Sequence, residues 1–238
     1  MQTPSYVALS SQAALSRQMD VVANNIANAS TAGFKAQRVL FSQFMVSNGT
    51  SQTAFVEDAA TYRDTRRGPI NRTGNPLDVA VDGDGYIAVS TPEGERYTRN
   101  GHFQLGADGS LVTAQGDAVL GDGGQPIALP AGASGIVITG DGSVSTKDGT
   151  VGKIRLVSFD DDNQAEAGAD GLYVSNSDPK PASAAILRQG MIEESNVQPV
   201  LELTRLMSIS RNYSAANEMV SSENDRIKNA IDKLSKIV

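Results

Sequence analysis

The sequence predicts an α+β protein: long N- and C-terminal helices that form a coiled-coil-like arm pair, with an inserted all-β domain. Three observations carry this reading. Apolar residues recur at alternating steps of three and four near both chain ends, the helical period. Of 23 glycines, 20 lie between Gly74 and Gly190, and none follows Gly190. Seven Asp-Gly dipeptides punctuate that same stretch, beginning at Asp82, Asp84, Asp108, Asp122, Asp141, Asp148 and Asp170. Asp-Gly supplies the positive φ angles of tight hairpin turns. Charge divides the chain in the same way. Residues 1–70 carry 6 basic and 4 acidic groups, residues 71–189 carry 8 and 16, and residues 190–238 carry 6 and 7. The expected division is a discontinuous helical domain from 1–30 with 191–238, an extended connecting segment over 31–71, and a β-rich domain over 72–190.

The first arm is expected from about Ser5 to Asn28. Leu15, Met19, Val22, Ile26 and Ala29 step by 4, 3, 4 and 3, a narrow apolar stripe. Asn24, Asn25 and Asn28 weaken the helix near its end, because their side chains compete for backbone hydrogen bonds. Gly33 is placed to stop it. Further on, Phe34, Leu40, Phe41 and Phe44 require packing, while Gly49 to Gln52 reads as an exposed loop. In the middle, Leu77–Val81, Tyr86–Val89, Gly135–Thr139 and Lys153–Phe159 are short alternating or β-branched runs, the pattern of strands. The last arm is expected from about Val200 to Ile237, roughly 57 Å at 1.5 Å per residue. Leu206, Ile209, Tyr213, Ala216, Val220, Glu223, Ile227, Ala230, Leu234 and Ile237 step by 3 and 4 throughout, and nine of the ten are apolar. A seven-residue stripe of that length implies a coiled-coil-like seam. One stripe is not stable alone in water, so it needs a partner helix.

The chemistry-bearing residues are few. The formal net charge of −7 argues against sequence-independent nucleic-acid binding, which needs a cationic surface. With no Cys, the chain has no disulfides, thiolate catalysis or thiolate-bound zinc, and with one His it has no His-rich metal site. His102 follows Tyr97-Thr98-Arg99-Asn100-Gly101, a turn between strands, and reads as a surface or lightly buried structural side chain. Gly83-x-Gly85-x-x-Ala88 loosely fits a dinucleotide fingerprint, but a β run follows the glycines where the fingerprint needs a helix. Asp82, Asp84 and Glu93 take three positions of a calcium loop, yet Ile87 stands where that loop requires Gly. Asp160, Asp161 and Asp162 read as a solvated acidic loop. No cofactor or metal is therefore expected. No apolar run approaches the ~18 residues of a membrane span. The N-terminus has no positive charge before Arg17 and no apolar h-region, so no cleaved signal peptide is expected. The Asn-x-Ser/Thr sites at Asn28, Asn48, Asn71 and Asn212 then carry little meaning. The residues alone leave two classes open. One is a structural protein whose helical ends pack against copies of itself. The other is a carbohydrate-binding or hydrolytic β domain with a coiled-coil oligomerisation helix.

Three stretches separate these classes. The first runs Ala23-Asn24-Asn25-Ile26-Ala27-Asn28-Ala29-Ser30-Thr31-Ala32-Gly33-Phe34-Lys35. The second runs from Thr73-Gly74-Asn75-Pro76-Leu77-Asp78 to Tyr86 and resumes at Tyr97-Thr98-Arg99-Asn100-Gly101-His102-Phe103. The third is Gln189-Gly190-Met191-Ile192-Glu193-Glu194-Ser195-Asn196-Val197, followed by Arg211-Asn212-Tyr213. Together, in this order and over most of the chain, they resemble the flagellar basal-body rod and hook family. Tyr6-Val7-Ala8-Leu9-Ser10 and the short chain look most like its proximal rod branch, with the distal rod branch as the near alternative. His102 and Tyr86 depart from the expected pattern. The resemblance implies a structural, non-enzymatic subunit of the bacterial flagellum's basal-body rod. Its partners are other rod subunits, copies of itself and the flagellar type III export apparatus. It assembles in the periplasm, with the helical ends packed into an inner tube and the β domain outward. The residues expected at the assembly interface are Leu15, Met19, Val22, Asn25, Ile26, Phe34, Leu206, Ile209, Tyr213, Val220, Ile227 and Leu234.

Overall fold

The computed structural model describes residues 3–48, 51–160, 165–168, 171–175 and 178–235, with side chains omitted at 3–6, 43–59 and 234–235. It comprises two compact units. One draws on Met1–Ala27, Gln37–Asp64 and Gln198–Val238, the other on Asn28–Ala36 and Thr65–Val197.

The first unit holds helix α1 (Thr3–Ala27), strands β1 (Gln37–Asn48) and β2 (Ser51–Arg63), and helix α2 (Pro199–Ser235). Pro199 opens α2 because its missing N–H is one that the first turn could not have paired. α1 ends at Ala27, so Ala29 falls in the turn that follows and not on the helical stripe. β1 and β2 form an antiparallel hairpin from Gln37 opposite Arg63 to Asn48 opposite Ser51, with a bulge between Leu40 and Phe41. Ser51 and Gln52 thus belong to a strand, not to the expected loop; residues 49–50 and the Phe44 side chain lie outside the described residues. Leu40 is exposed and Phe41 half-buried. α1 packs against α2 and against both strands of the hairpin. Facing three elements, it buries a wider band than one stripe: Ala8, Ala14, Val21, Val22 and Asn25 are buried, flanked by half-buried Leu15, Met19 and Ile26.

The second unit is β throughout. Strand β3 covers Ile70–Arg72, β4 Val79–Asp82, β5 Tyr86–Thr91 and β6 Gly94–Thr98. The main sheet runs in the order 165–167, 172–175, β6, β5, 118–119, 111–112, 104–105, and strand Leu156–Ser158 pairs with both β5 and Lys180–Pro181. β5 lies at its centre with both faces covered. Ile87 and Val89 enter one core with Val79, Phe103 and Ile154, while Tyr86 and Ala88 enter a second with Tyr97, Val157 and Tyr173. A strand buried on both faces reads as an unbroken apolar run, which is how Tyr86–Val89 reads. The chain then returns beside its own entry: Ile186–Gln189 pairs with β4 and Met191–Glu193 with β3.

The glycines after Asp82, Asp108, Asp141, Asp148 and Asp170 adopt positive φ, as the turn reading requires. Gly101 is needed for a different reason. A Cβ there would lie 1.6 Å from the carbonyl oxygen of Val79, which is also the residue whose N–H bonds the Gly101 carbonyl. Gly101→Ala must therefore push β4 away from its neighbour. The expected cost is at or above the top of the ~1–3 kcal/mol range for overpacking, read as a lowered urea midpoint of the β unit.

Candidate assembly interface

The arms meet along a seam whose period is set by α2. Its buried and half-buried positions are Glu202, Leu206, Ile209, Tyr213, Ala216, Val220 and Glu223, stepping by 4 and 3 without a break. From Asn224 to Lys233 every side chain is exposed. Of the expected interface residues, Leu206, Ile209, Tyr213 and Val220 thus lie on the seam. Ile227 continues it uncovered, and the Leu234 side chain lies outside the described residues. On α1, Val22 and Asn25 are buried, and Leu15, Met19 and Ile26 flank them.

The seam begins at a buried carboxylate. Glu202, in the first turn of α2, is 1% exposed, and its Oε1 accepts from Arg38 Nη1 at 2.8 Å and from Arg205 Nη1 at 2.6 Å. A carboxylate near a helix N-terminus also gains from the exposed N–H dipoles there. Its Oε2 is buried and finds no partner among the described residues. Next to it, fully buried Asn25 grips the start of β1. Its Nδ2 donates to the Gln37 carbonyl at 2.9 Å, and its Oδ1 accepts from the Gln37 N–H at 2.8 Å. The asparagine that weakens α1 as a helix former satisfies both backbone groups of Gln37. A cleft of about 340 Å³ opens beside the seam among Val21, Val22, Val39, Ile209, Arg38 and Arg205.

In the β unit the three motif stretches meet at one point. Glu193 is 1% exposed, and its Oε1 accepts from Lys35 Nζ at 2.6 Å and from the Gly68 N–H at 3.0 Å. Its Oε2 accepts from Arg99 Nε at 3.0 Å. The remaining Arg99 donors reach the carbonyls of Gly85, Val81 and Gly83. Lys35 also donates to the Arg66 carbonyl. Asn196 completes the clasp, accepting from the Ala36 N–H and donating to that same Arg66 carbonyl. Gly33, at φ +70°, is part of this junction and not a helix cap. Its N–H donates to the Glu193 carbonyl, and a Cβ there would meet the Arg99 backbone at 2.5 Å. Phe34, the remaining expected interface residue, is half-buried beside it.

Burial by itself would raise the Glu193 carboxyl. The charges of Arg99 and Lys35, with the hydrogen bonds from Lys35 and Gly68, outweigh it and hold the group below the usual carboxylate range. Burial, then the Arg99 charge, pushes Lys35 down against the pull of Glu193. None of Lys35, Arg99, Glu193, Arg38 or Glu202 stands out by periodicity. The first three do lie inside the motif stretches, and that was their only sequence signal.

The other candidate residues are structural. His102 Nδ1 lies 2.8 Å from Oδ1 of buried Asp78, and its ring is half exposed. Asp82 is answered by Arg67 and Arg188, and Asp84 by Arg67. Asp160 pairs with Lys180, whereas Asp161 and Asp162 lie outside the described residues. Gly83 and Gly85 turn carbonyls toward Arg99, so this loop is occupied by an internal cation. Tyr86, a departure from the motif pattern, lies under the Arg99 guanidinium, 5.6 Å from ring centroid to Cζ. Among the described residues no three His, Asp or Glu side chains converge as metal ligands. No described helix is long and apolar enough to cross a membrane.

Comparison with known proteins identifies the class. The family model described as "Flagella basal body rod protein" matches residues 6–35, "Flagellar hook protein FlgE/F/G D1 domain" matches 80–146, and "Flagellar basal body rod FlgEFG protein C-terminal" matches 188–233. The "Flagellar basal-body rod protein FlgF" of Caulobacter vibrioides is 39% identical, covering 98% of both chains. That of Mesorhizobium japonicum is 38% identical, covering 96% of this chain and 98% of its own. The "Flagellar basal-body rod protein FlgG" of Caulobacter vibrioides is 32% identical, covering 93% and 95%. The chain belongs to the flagellar basal-body rod and hook family. Within it, the chain is more like these FlgF relatives than like FlgG.

Two outcomes follow from the clasp and the grip. Glu193→Ala leaves Lys35 and Arg99 buried without their anion and is expected to cost roughly 3–5 kcal/mol, measured by urea unfolding. Because the folded carboxyl is depressed, its contribution is complete above the unfolded value of about 4.3. It is lost as pH falls through the folded value, so the gap between wild type and Glu193→Gln should close in acid. Asn25→Leu strands both backbone groups of Gln37 and is expected to cost about 2 kcal/mol or more, read as faster amide exchange across α1.

Proposed function

We propose that this chain is a structural subunit of the flagellar basal-body rod, on the proximal, FlgF-like side of the family. It stacks axially with other rod proteins and with copies of itself and passes torque from motor to hook. The reading rests on family membership over nearly the whole chain and on one structural observation: the seam of α2 outruns its internal partner. The stripe continues past Glu223 through Ile227 and Ile231, where every side chain is exposed. An apolar helix face without a partner is marginal in water; assembly supplies the partner.

In this reading residues 1–30 with 191–238 form the helical axial-assembly domain, a coiled-coil-like arm pair. Residues 31–71 form the connecting segment, whose hairpin braces α1, and residues 72–190 form the outer β domain. Leu15, Met19, Val22, Asn25, Ile26, Phe34, Leu206, Ile209, Tyr213, Val220, Ile227 and Leu234 make or support the contacts between subunits. The role is mechanical, without catalysis or cofactor. The subunit reaches the periplasmic rod through the flagellar type III export apparatus.

Val220→Asp tests this reading. It sets a carboxylate on the seam, at a cost of several kcal/mol once neighbours bury it. Cells carrying it should lose swimming in soft agar and lack complete rods, while the purified variant keeps the thermal unfolding of its β unit. Normal motility with Val220→Asp would remove the seam from the function.

A further inference from the structure

The clasp brings an amine and an amide onto one oxygen. Lys35 is the one buried lysine among the described residues. Its Nζ donates to the Arg66 carbonyl at 3.0 Å, and Asn196 Nδ2 donates to that same oxygen at 2.8 Å. Laid end to end, those two bonds put the amine no more than 5.8 Å from the amide nitrogen. The amide carbon, Cγ, is bonded to that nitrogen at ~1.33 Å. The ~3–3.5 Å of a near-attack pair is a terminal rotation of the Lys35 chain away.

The surroundings supply the other parts of an acyl transfer. Asn196 Oδ1 accepts from the Ala36 N–H at 2.7 Å. That places a backbone donor where negative charge grows on the oxygen during attack. Glu193 Oε1 accepts from Lys35 Nζ at 2.6 Å, in position to carry its proton. Burial, then the charge of Arg99, lowers Lys35 toward the neutral amine that attack requires. Asn196 is only half-buried, which leaves its amide nitrogen a way out to solvent.

We propose that Lys35 and Asn196 condense into an intramolecular isopeptide bond. Lys35 Nζ bonds to Asn196 Cγ, and the Cγ–Nδ2 bond breaks. Two protons pass from Nζ to Nδ2 by way of the Glu193 carboxylate. The leaving group departs as ammonium, and Glu193 ends as it began, an anion. No oxidant, metal or second substrate is consumed. Charge favours the product. The clasp holds two buried cations over one anion, and condensation removes one cation, leaving Arg99 and Glu193 as a balanced pair. The bond ties the segment entering the β unit to the segment leaving it. A pull on the two ends of the unit then runs through a covalent link and not through hydrogen bonds. The inference stands on the clasp alone and holds whether or not the chain assembles into a rod.

Intact mass of the purified, folded full chain tests it. After incubation at neutral pH the wild type should weigh one ammonia less than its sequence. It should also run ahead of Lys35→Arg on a denaturing gel, because the bond closes a loop that denaturant does not open. Fragmentation of a protease digest should find the Lys35 peptide joined to the Asn196 peptide. Lys35→Arg and Asn196→Ala should keep the full mass of their sequences, and Asn196→Asp should condense with loss of water in place of ammonia. A wild-type chain at its full sequence mass overturns the proposal by itself, whether or not any variant folds. Ammonia loss that persists in Lys35→Arg would also overturn it, and would assign the loss to a succinimide at Asn48-Gly49 or Asn100-Gly101.

Discussion

The Glu193 carboxylate, buried between Lys35 and Arg99, joins parts of the chain that lie 158 and 94 residues away from it. Two cations over one anion leave a surplus positive charge in a low-dielectric site. The structure spreads it over backbone oxygens: Arg66 for Lys35, and Val81, Gly83 and Gly85 for Arg99. A buried ion pair adds little stability by itself, because desolvation consumes most of the Coulombic gain. Its effect is on uniqueness, since few other chain paths present two cations, one backbone N–H and this set of carbonyls to one carboxylate.

The clasp also governs the local chemistry around it. By drawing the Gly83 and Gly85 carbonyls inward, Arg99 fixes the turn between β4 and β5. A phosphate-binding loop needs N–H groups aimed at its ligand, and this loop aims carbonyls at a guanidinium. The clasp binds residues 33–36, 66–68 and 193–196 into one junction of the β unit, through Gly33, Lys35, Gly68 and Asn196. The conformation of the chain where it enters and leaves that unit is therefore set by buried charge and paired backbone.

The helical unit is built on a different balance. Its seam is half-buried along most of its length, and glutamates close the buried stretch at both ends. Glu202 is held by two arginines and Glu223 by Arg226, so the ends are fastened by charge while the middle is only partly covered by apolar contact. Half-buried Leu206, Ile209 and Val220 return only part of the transfer free energy of full burial. The structure thus combines a β unit with a well-buried core and a helix pair whose seam is only partly covered. That division suits a protein whose work is done between subunits.

Periodicity in the sequence was sufficient for both helices, and the half-buried positions of α2 coincide with the regular steps from Leu206 to Glu223. Helical spacing is a local property, and a stripe with one partner leaves it intact. It was less faithful on α1, where the hairpin adds a second packing direction and draws in Ala14, Val21 and Asn25. The Asp-Gly turns and the β5 run were legible because turn sterics and two-sided burial act on adjacent residues. The hairpin over 37–63 was not, because its pairing runs across a segment with no turn signal beyond Asn48-Gly49. The motif stretches identified the family and contained Lys35, Arg99 and Glu193, yet no spacing rule joins residues so far apart. Their meeting was decided by tertiary structure alone, since a buried charge is stable only where the fold brings its counter-charges within hydrogen-bond reach.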